Sequence, residues 1–312
     1  MNILVFNYNG ILTEVSKKLE EQGHRVISHL NNISKKELDK FDIWVTWQET
    51  EASNLRPLIQ NFQSKGKKVI LVQHGRRGTS RIFPPFNEGV VSDKVCLWGQ
   101  GDYERHIEAG TPKEKLVITG SPVVKWVRDN VIKKKHEGKN VLFIPEHWGV
   151  EVTENFIVAG QLRKLKHKVI TKLLYGEHSD LYTNPVYSDR NKGDHLQVLA
   201  QCLEVADVVV GISESTAEIM AQVLDIPVVI ADIWQPKVGA NGDERYLTYR
   251  REYSNACDRV KKIFDLNNRI EYALKHPEYL RNERFIVSKV DGGVEMKNPV
   301  ENIIKVILNE SN

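Results

Sequence analysis

The sequence predicts an α/β protein of two doubly wound, Rossmann-like domains in series, facing a central cleft. Short runs of consecutive apolar residues recur along the chain, which marks strands buried on both faces of a parallel sheet. Amphipathic stretches with apolar residues at helical spacing lie between them. Strand–helix alternation of this kind is the doubly wound pattern. The alternation breaks once and then restarts.

Taken in order, the first strands are ILVFN (3–7), RVISH (25–29), IWVTW (43–47), KVILV (68–72), KVCLW (94–98) and KLVIT (115–119). Residues 12–22 and 51–65 are the clearest helices among them. Residues 125–139, KWVRDNVIKKKHEGK, are charged, hold one glycine and read as a linker. The second set is NVLFIP (140–145), a helix over 153–167, KVITKLL (168–174), a helix near 194–204, DVVVGI (207–212), a helix over 215–224, and PVVIAD (227–232). Helices are also expected over 266–275 and 298–309. The expected division is a domain of 1–130, a domain of 139–280, and a helical segment, 281–312, able to pack back on the first.

Composition agrees with two globular domains. The chain has 312 residues, 41% hydrophobic and 27% charged, ordinary values for a soluble protein of that size. Lys and Arg total 44 against 41 Asp and Glu. That balance is too even to imply nucleic-acid binding from bulk charge, and KKKHEGK (133–139) reads as a solvated linker face. The three cysteines, Cys96, Cys202 and Cys257, lie far apart without CxxC spacing, which fits a reducing compartment. MNILVFNYNG reads as a first strand and not a signal peptide, and no apolar run approaches the ~20 residues that cross a bilayer. The expectation is a cytoplasmic protein, or one lying peripherally on the inner face of the membrane.

Doubly wound sheets place ligands at the carboxyl ends of their strands. His74 sits at such an end, in VILVQHG (69–75), and Gly75 behind it permits close backbone approach. A histidine there either contacts a ligand or merely caps the sheet. A second signal is ADVVVGISESTAEIMAQVLDIPVVIAD (206–232), where Ser213, Glu214, Ser215 and Thr216 open a helix behind a buried strand. Free N–H groups at a helix start form an anion site suited to a diphosphate. Ser215 with Glu218 three residues later is also an ordinary capping box, and Glu218 could instead meet a ribose or sugar hydroxyl. A third group is Lys172, Glu177 and His178, with Glu146 and His147 after another strand; nucleotide or sugar contact and plain loop polarity fit them equally, and both fit better than a metal, because the pairs are widely spaced. GxGxxG, GxxxxGK[ST], GxSxG and DxD are all absent. Those absences disfavour a dinucleotide cofactor, a P-loop triphosphatase and a metal-held nucleotide sugar.

These residues together resemble the GT-B glycosyltransferases, in the loose group of CDP-glycerol glycerophosphotransferases, bacterial capsule Kdo- and sialyltransferases and UDP-N-acetylglucosamine 2-epimerases. The matching stretches are Gln73-His74-Gly75, DKVCLWGQGDYERHIEAG (93–110), KLVITGSP (115–122) and the 206–230 segment. The resemblance implies an acceptor-side first domain bearing His74 and a donor-side second domain in which Ser213, Ser215 and Thr216 hold phosphates. Two departures matter. The capsule enzymes' His-Pro pair reads Gly176-Glu177-His178 here, and the epimerases' paired glutamates are missing, since Ile219 and Met220 follow Glu218.

The leading expectation is a metal-independent transferase, glycosyl or glycerophosphoryl, acting on a saccharide or lipid-linked acceptor in surface polysaccharide synthesis. His74 would be its base, with Asp93 or Asp102 as alternatives if His74 only orients substrate. The alternatives are an epimerase or hydrolase of the same fold, a non-catalytic nucleotide-sugar-binding protein, and a phage-type DNA glycosyltransferase.

Overall fold

The computed structural model describes residues 1–6, 12–29, 35–47, 55–75, 90–145, 152–174, 182–188, 195–212, 215–233 and 254–310. Two compact units divide the chain: Met1–Lys125 together with Lys289–Asn312, and Trp126–Ser288.

The first unit is built on six strands, β1 (Asn2–Phe6), β2 (Arg25–His29), β3 (Ile43–Thr46), β4 (Lys68–Val72), β5 (Lys94–Leu97) and β6 (Leu116–Ile118), in the order β2-β1-β3-β4-β5-β6. Every pairing is parallel. Helices α1 (Thr13–Glu21), α2 (Lys35–Leu38), α3 (Leu55–Gln63) and α4 (Gln100–Glu108) follow β1, β2, β3 and β5 in turn. Alternate side chains of each strand feed opposite faces. Ile3, Val5, Ile43, Val45 and Ile70 pack with α1 on one face, while Leu4, Phe6, Trp44 and Val69 pack with Ile59 and Phe62 of α3 on the other. Burial on both faces is why these strands read as continuous apolar runs.

The last helix of the chain completes this unit. The chain passes from the first unit to the second within α5 (Pro122–Asn130) and returns within α10 (Arg281–Val290), and α11 (Pro299–Asn309) packs beside α1. Val300, Ile303, Ile304 and Ile307 of α11 join the core of the first face.

The second unit holds β7 (Asn140–Ile144), β8 (Lys168–Leu174), β9 (Pro185–Ser188), β10 (Val208–Gly211), β11 (Val228–Ala231) and β12 (Cys257–Val260), in the order β12-β11-β10-β7-β8-β9. These pairings are also all parallel. Its helices are α6 (Val152–Leu162), α7 (His195–Val205), α8 (Thr216–Val223) and α9 (Leu266–Lys275). The chain starts at β7, runs outward through β8 to β9, then returns to the other side of β7 for β10. That reversal makes the gap between the carboxyl ends of β7 and β10 the topological switch point, where open α/β sheets bind ligands.

Some elements depart from the expectations. Residues 125–139 are not all linker: α5 runs to Asn130, and four of the basic residues beyond it have partners. Lys133 Nζ donates to the carbonyls of Leu203 and Ala206 at the end of α7. Lys134 pairs with Glu204, and His136 and Lys139 lie 3.6 and 3.9 Å from Asp207. A cation at a helix carboxyl end is favoured by the exposed carbonyls and the dipole, so much of this run serves the fold. The edge strands β9 and β12 went unread because each has four residues, PVYS and CDRV, with little apolar run. Proline at the first position of β9 suits an edge strand, which needs no donor there. No helix among the described residues is long and apolar enough to cross a membrane.

Ile303 is fully buried. Its replacement by alanine should destabilise the protein by about 2–5 kcal/mol through lost burial and the cavity left behind, read as a lower denaturant midpoint. A loss below about 1 kcal/mol would show that α11 is peripheral to the core.

Candidate functional site

His74 and Gly75 follow β4, where the chain leaves the carboxyl end of the first sheet. The His74 imidazole stands edge-on to Trp47, just past β3, with ring centroids 4.7 Å apart at 76°. The residue before it is the anchor. Gln73, buried to 2% exposure, has every polar group engaged. Its N–H donates to the Cys96 carbonyl (3.0 Å), and its carbonyl accepts from Trp98 Nε1 (2.9 Å). Its Oε1 accepts from the Trp98 backbone N–H (2.9 Å), and its Nε2 donates to the Gly75 carbonyl (3.0 Å) and to Asp102 Oδ2 (2.5 Å). One N–H partner and two acceptors fix which end of the amide is oxygen. Because the side chain of residue 73 holds the carbonyl of residue 75, the backbone of His74 is pinned from both sides.

Asp102 lies in the first turn of α4. Its Oδ1 accepts from Arg105 Nη2 (3.0 Å) and Nε (3.3 Å), and Arg105 Nη2 also donates to Asp291 Oδ1 (2.6 Å). Burial raises the Asp102 carboxyl above the usual carboxylate range, more than Arg105 and Gln73 lower it. Burial opposes the Arg105 charge, but Asp102 and Asp291 outweigh that opposition and hold the guanidinium above its ordinary value. Glycines admit the segment that carries Asp291. A Cβ on Gly99 would lie 2.1 Å from the Val290 carbonyl oxygen, and one on Gly101 would lie 2.5 Å from Asp291 Oδ1. Gly293, at φ +61°, passes so close to Trp98 that its Cβ would fall 1.9 Å from that carbonyl oxygen.

The two alternative bases of the first unit are therefore elsewhere engaged. Asp93 precedes β5 at the amino edge of the sheet, accepting from the Val69 N–H and from Gln63 Nε2, both at 2.9 Å. From Val69 to His74 is five residues of extended chain, roughly 16 Å. Asp93 and His74 thus mark opposite ends of β4. Asp102 is near the strand tip, but both its oxygens are taken by Gln73 and Arg105.

In the second unit, α8 begins beyond β10, the strand at the switch point. Ser215 is its N-cap, accepting from the Ala217 N–H (3.3 Å), while Glu218 Oε2 accepts from the Ser215 N–H (2.8 Å). The capping box is complete, and Glu218 is 1% exposed. A carboxylate so placed serves the helix start and is withdrawn from a sugar hydroxyl. Thr216 opens the first turn. Lys172 is likewise buried: its Nζ donates to Ser188 Oγ (3.0 Å) and meets His195 Nδ1 at 2.8 Å. It is spent tying β8 to β9 and α7. Ser213, Glu214, Glu177, His178, Glu146 and His147 lie outside the described residues. Among the described residues, no three His, Cys, Asp or Glu converge as metal ligands.

Sequence reasoning missed Gln73 as an anchor, and missed Arg105, Asp291, Ser188 and His195 altogether. A glutamine directly after four buried strand residues was the one available signal, since a buried amide demands partners.

Two parallel doubly wound units, each a six-stranded sheet flanked by helices, define a two-domain Rossmann-like architecture. No protein-family model matches the sequence, and no curated protein matches it. Solved structures do. The wall teichoic acid polymerase TagF aligns with 99% of this chain and 89% of its own, at 12% identity and a TM-score of 0.61. UDP-GlcNAc 2-epimerase from Neisseria meningitidis, bound to UDP-GlcNAc, covers 99% and 100% at 11% identity and 0.59. MnaA of S. aureus with UDP covers 99% and 96% at 12% identity and 0.63. The protein has the GT-B fold, and its structural neighbours include transferase and epimerase members of that fold.

Asp102→Ala removes the shared partner of Gln73 and Arg105 and leaves a buried guanidinium with one carboxylate. It should cost about 3–5 kcal/mol of stability, as breaking a buried pair from one side does. A stable Asp102→Ala protein in a denaturant titration would restore Asp102 as a candidate base.

Proposed function

We propose that this protein is a metal-independent transferase that moves a glycosyl or glycerophosphoryl group from a nucleotide-activated donor to a hydroxyl acceptor, in the assembly of a surface polysaccharide. The observation carrying this reading is the His74–Gly75 strand tip, held by the buried side-chain amide of Gln73 through the Gly75 carbonyl. An imidazole with an unperturbed pKa near 6.5 accepts a hydroxyl proton close to neutral pH. The other half of the chemistry, stabilising the leaving nucleotide, falls to the start of α8. There the first-turn N–H groups, Thr216 and the neighbouring Ser213 meet phosphate, with Ser215 and Glu218 keeping the helix start in shape. Backbone dipoles in place of a divalent ion suit a chain without a DxD pair.

Neighbours bound to UDP-GlcNAc and UDP, and one soaked with CDPG, support a nucleotide-activated donor. The 12% identity with TagF leaves base, sugar and acceptor to experiment. A saccharide or lipid-linked acceptor at the cytoplasmic face of the membrane fits the proposed pathway.

The reaction is tested by incubating the protein with a panel of UDP-, CDP-, CMP-, GDP- and dTDP-linked donors in EDTA, with and without acceptor. Nucleotide release only when acceptor is present is the expected result. Release without acceptor would establish a hydrolase, conversion of the donor to its epimer would establish an epimerase, and activity requiring added Mg²⁺ would overturn the metal-free part. His74→Ala should fold normally and lose 10²–10⁴-fold in kcat, the usual contribution of general-base catalysis; more than about a tenth of wild-type kcat would remove His74 from that role. Ser215→Ala with Thr216→Ala should weaken nucleoside-diphosphate binding by at least about tenfold, given roughly 1.5–3 kcal/mol per lost charged hydrogen bond. A lower melting temperature with unchanged affinity would make the motif a helix cap alone.

A further inference from the structure

We infer that Arg105 and Asp291 are positioning residues for His74, acting through Asp102 and Gln73. The inference rests on the transferase reading above and assigns function to residues on either side of the second unit in sequence. The chain of contacts is continuous: Asp291 to Arg105 at 2.6 Å, Arg105 to Asp102 at 3.0 Å, Asp102 to Gln73 at 2.5 Å, Gln73 to the Gly75 carbonyl at 3.0 Å. Its members are nearly closed to water, with side-chain exposures of 14% for Arg105, 4% for Asp102 and 9% for Asp291.

Each link has a physical task. The Gly75 carbonyl is set by one N–H of Gln73, and the direction of that N–H is set by the other, which points at Asp102 Oδ2. Asp102 Oδ1 is held by two donors of Arg105, Nε and Nη2, whose mutual spacing the planar guanidinium fixes. Arginine has a long stem with several rotamers, and without a second acceptor it could swing away from Asp102. Asp291 supplies that acceptor from the segment just after α10. Gly101 makes room for it, because any Cβ there would meet Asp291 Oδ1 at 2.5 Å. In an ordinary ion pair neither partner reports to a strand tip. Here the pair ends on the carbonyl next to the proposed base, so loosening it moves His74 relative to its substrate. A misplacement of about 1 Å costs up to about a hundredfold in rate.

The variant Asp291→Asn keeps shape and removes the charge that steadies Arg105. With donor and acceptor, it should lower kcat by about 10–100-fold while donor KM stays within about twofold. In hydrogen exchange, the amides of residues 73–75 should exchange faster at unchanged global melting temperature. Glu301→Gln, which breaks the more exposed Lys18–Glu301 pair of the same unit, should change neither kcat nor those amides. Arg105→Lys keeps the charge without the fork and should give the same kcat loss if Asp291→Asn fails to fold. Unchanged kcat in Asp291→Asn, or a loss matched by a like rise in KM, would overturn the inference. If wild type transfers nothing from any donor, the transferase reading fails by itself, and exchange alone decides the positioning: undiminished protection of 73–75 in Asp291→Asn sinks it.

Discussion

The side-chain amide of Gln73 is the contact on which the carboxyl edge of the first unit depends. Past the last ladder bond, from the Gln73 N–H to the Cys96 carbonyl, it joins the tip of β4 to the tip of β5 through Trp98 and to the first turn of α4 through Asp102. Strand hydrogen bonds stop where the chain leaves the sheet, so what lies beyond needs another source of order. A buried amide can provide it only if both its ends are satisfied, because an unpaired polar atom there costs more than the bond contributes. Gln73 meets that condition with three partners. Their demands then shape the neighbourhood: glycine at 99, 101 and 293, and an arginine between two carboxylates.

The second unit solves a similar problem at its own carboxyl edge by different means. Strand β10 ends at the switch point, and the helix after it is started by a reciprocal pair, Ser215 and Glu218. This pair satisfies two of the helix's otherwise orphaned N–H groups. A glutamate in that turn would repel a phosphate if it faced one. Buried and turned back on Ser215, it stiffens the helix start instead.

Most of the architecture was legible in the sequence, because a strand buried on both faces must be apolar at every position, and ten of the twelve described strands have such runs. The two that did not show are four-residue edge strands, half-relieved of that demand. The candidate site was legible by address and not by wiring. His74 and the Ser-Thr cluster announce themselves by standing where strands end, which is a property of local pattern. Asp93 and Asp102 looked equivalent, since both flank β5 and both are acidic. Only the fold shows that one caps the amino edge and the other the carboxyl edge. Asp291 lies 186 residues from its partner Arg105, and nothing local to either residue announces the other.

The first unit is not contiguous, and this has a consequence for how the protein comes to be made. Its core needs Val300, Ile303, Ile304 and Ile307 of α11, which leave the ribosome only after all of Trp126–Ser288 has emerged. Domains ordinarily fold in the order in which they are synthesised. Here that order is inverted: the second unit has its whole sheet in hand while the first still shows water an apolar face between β1, β3 and α1. For the time it takes to translate the second unit, the nascent first unit is the exposed partner, and a chaperone that shields apolar surface has its longest opportunity at the start of the chain.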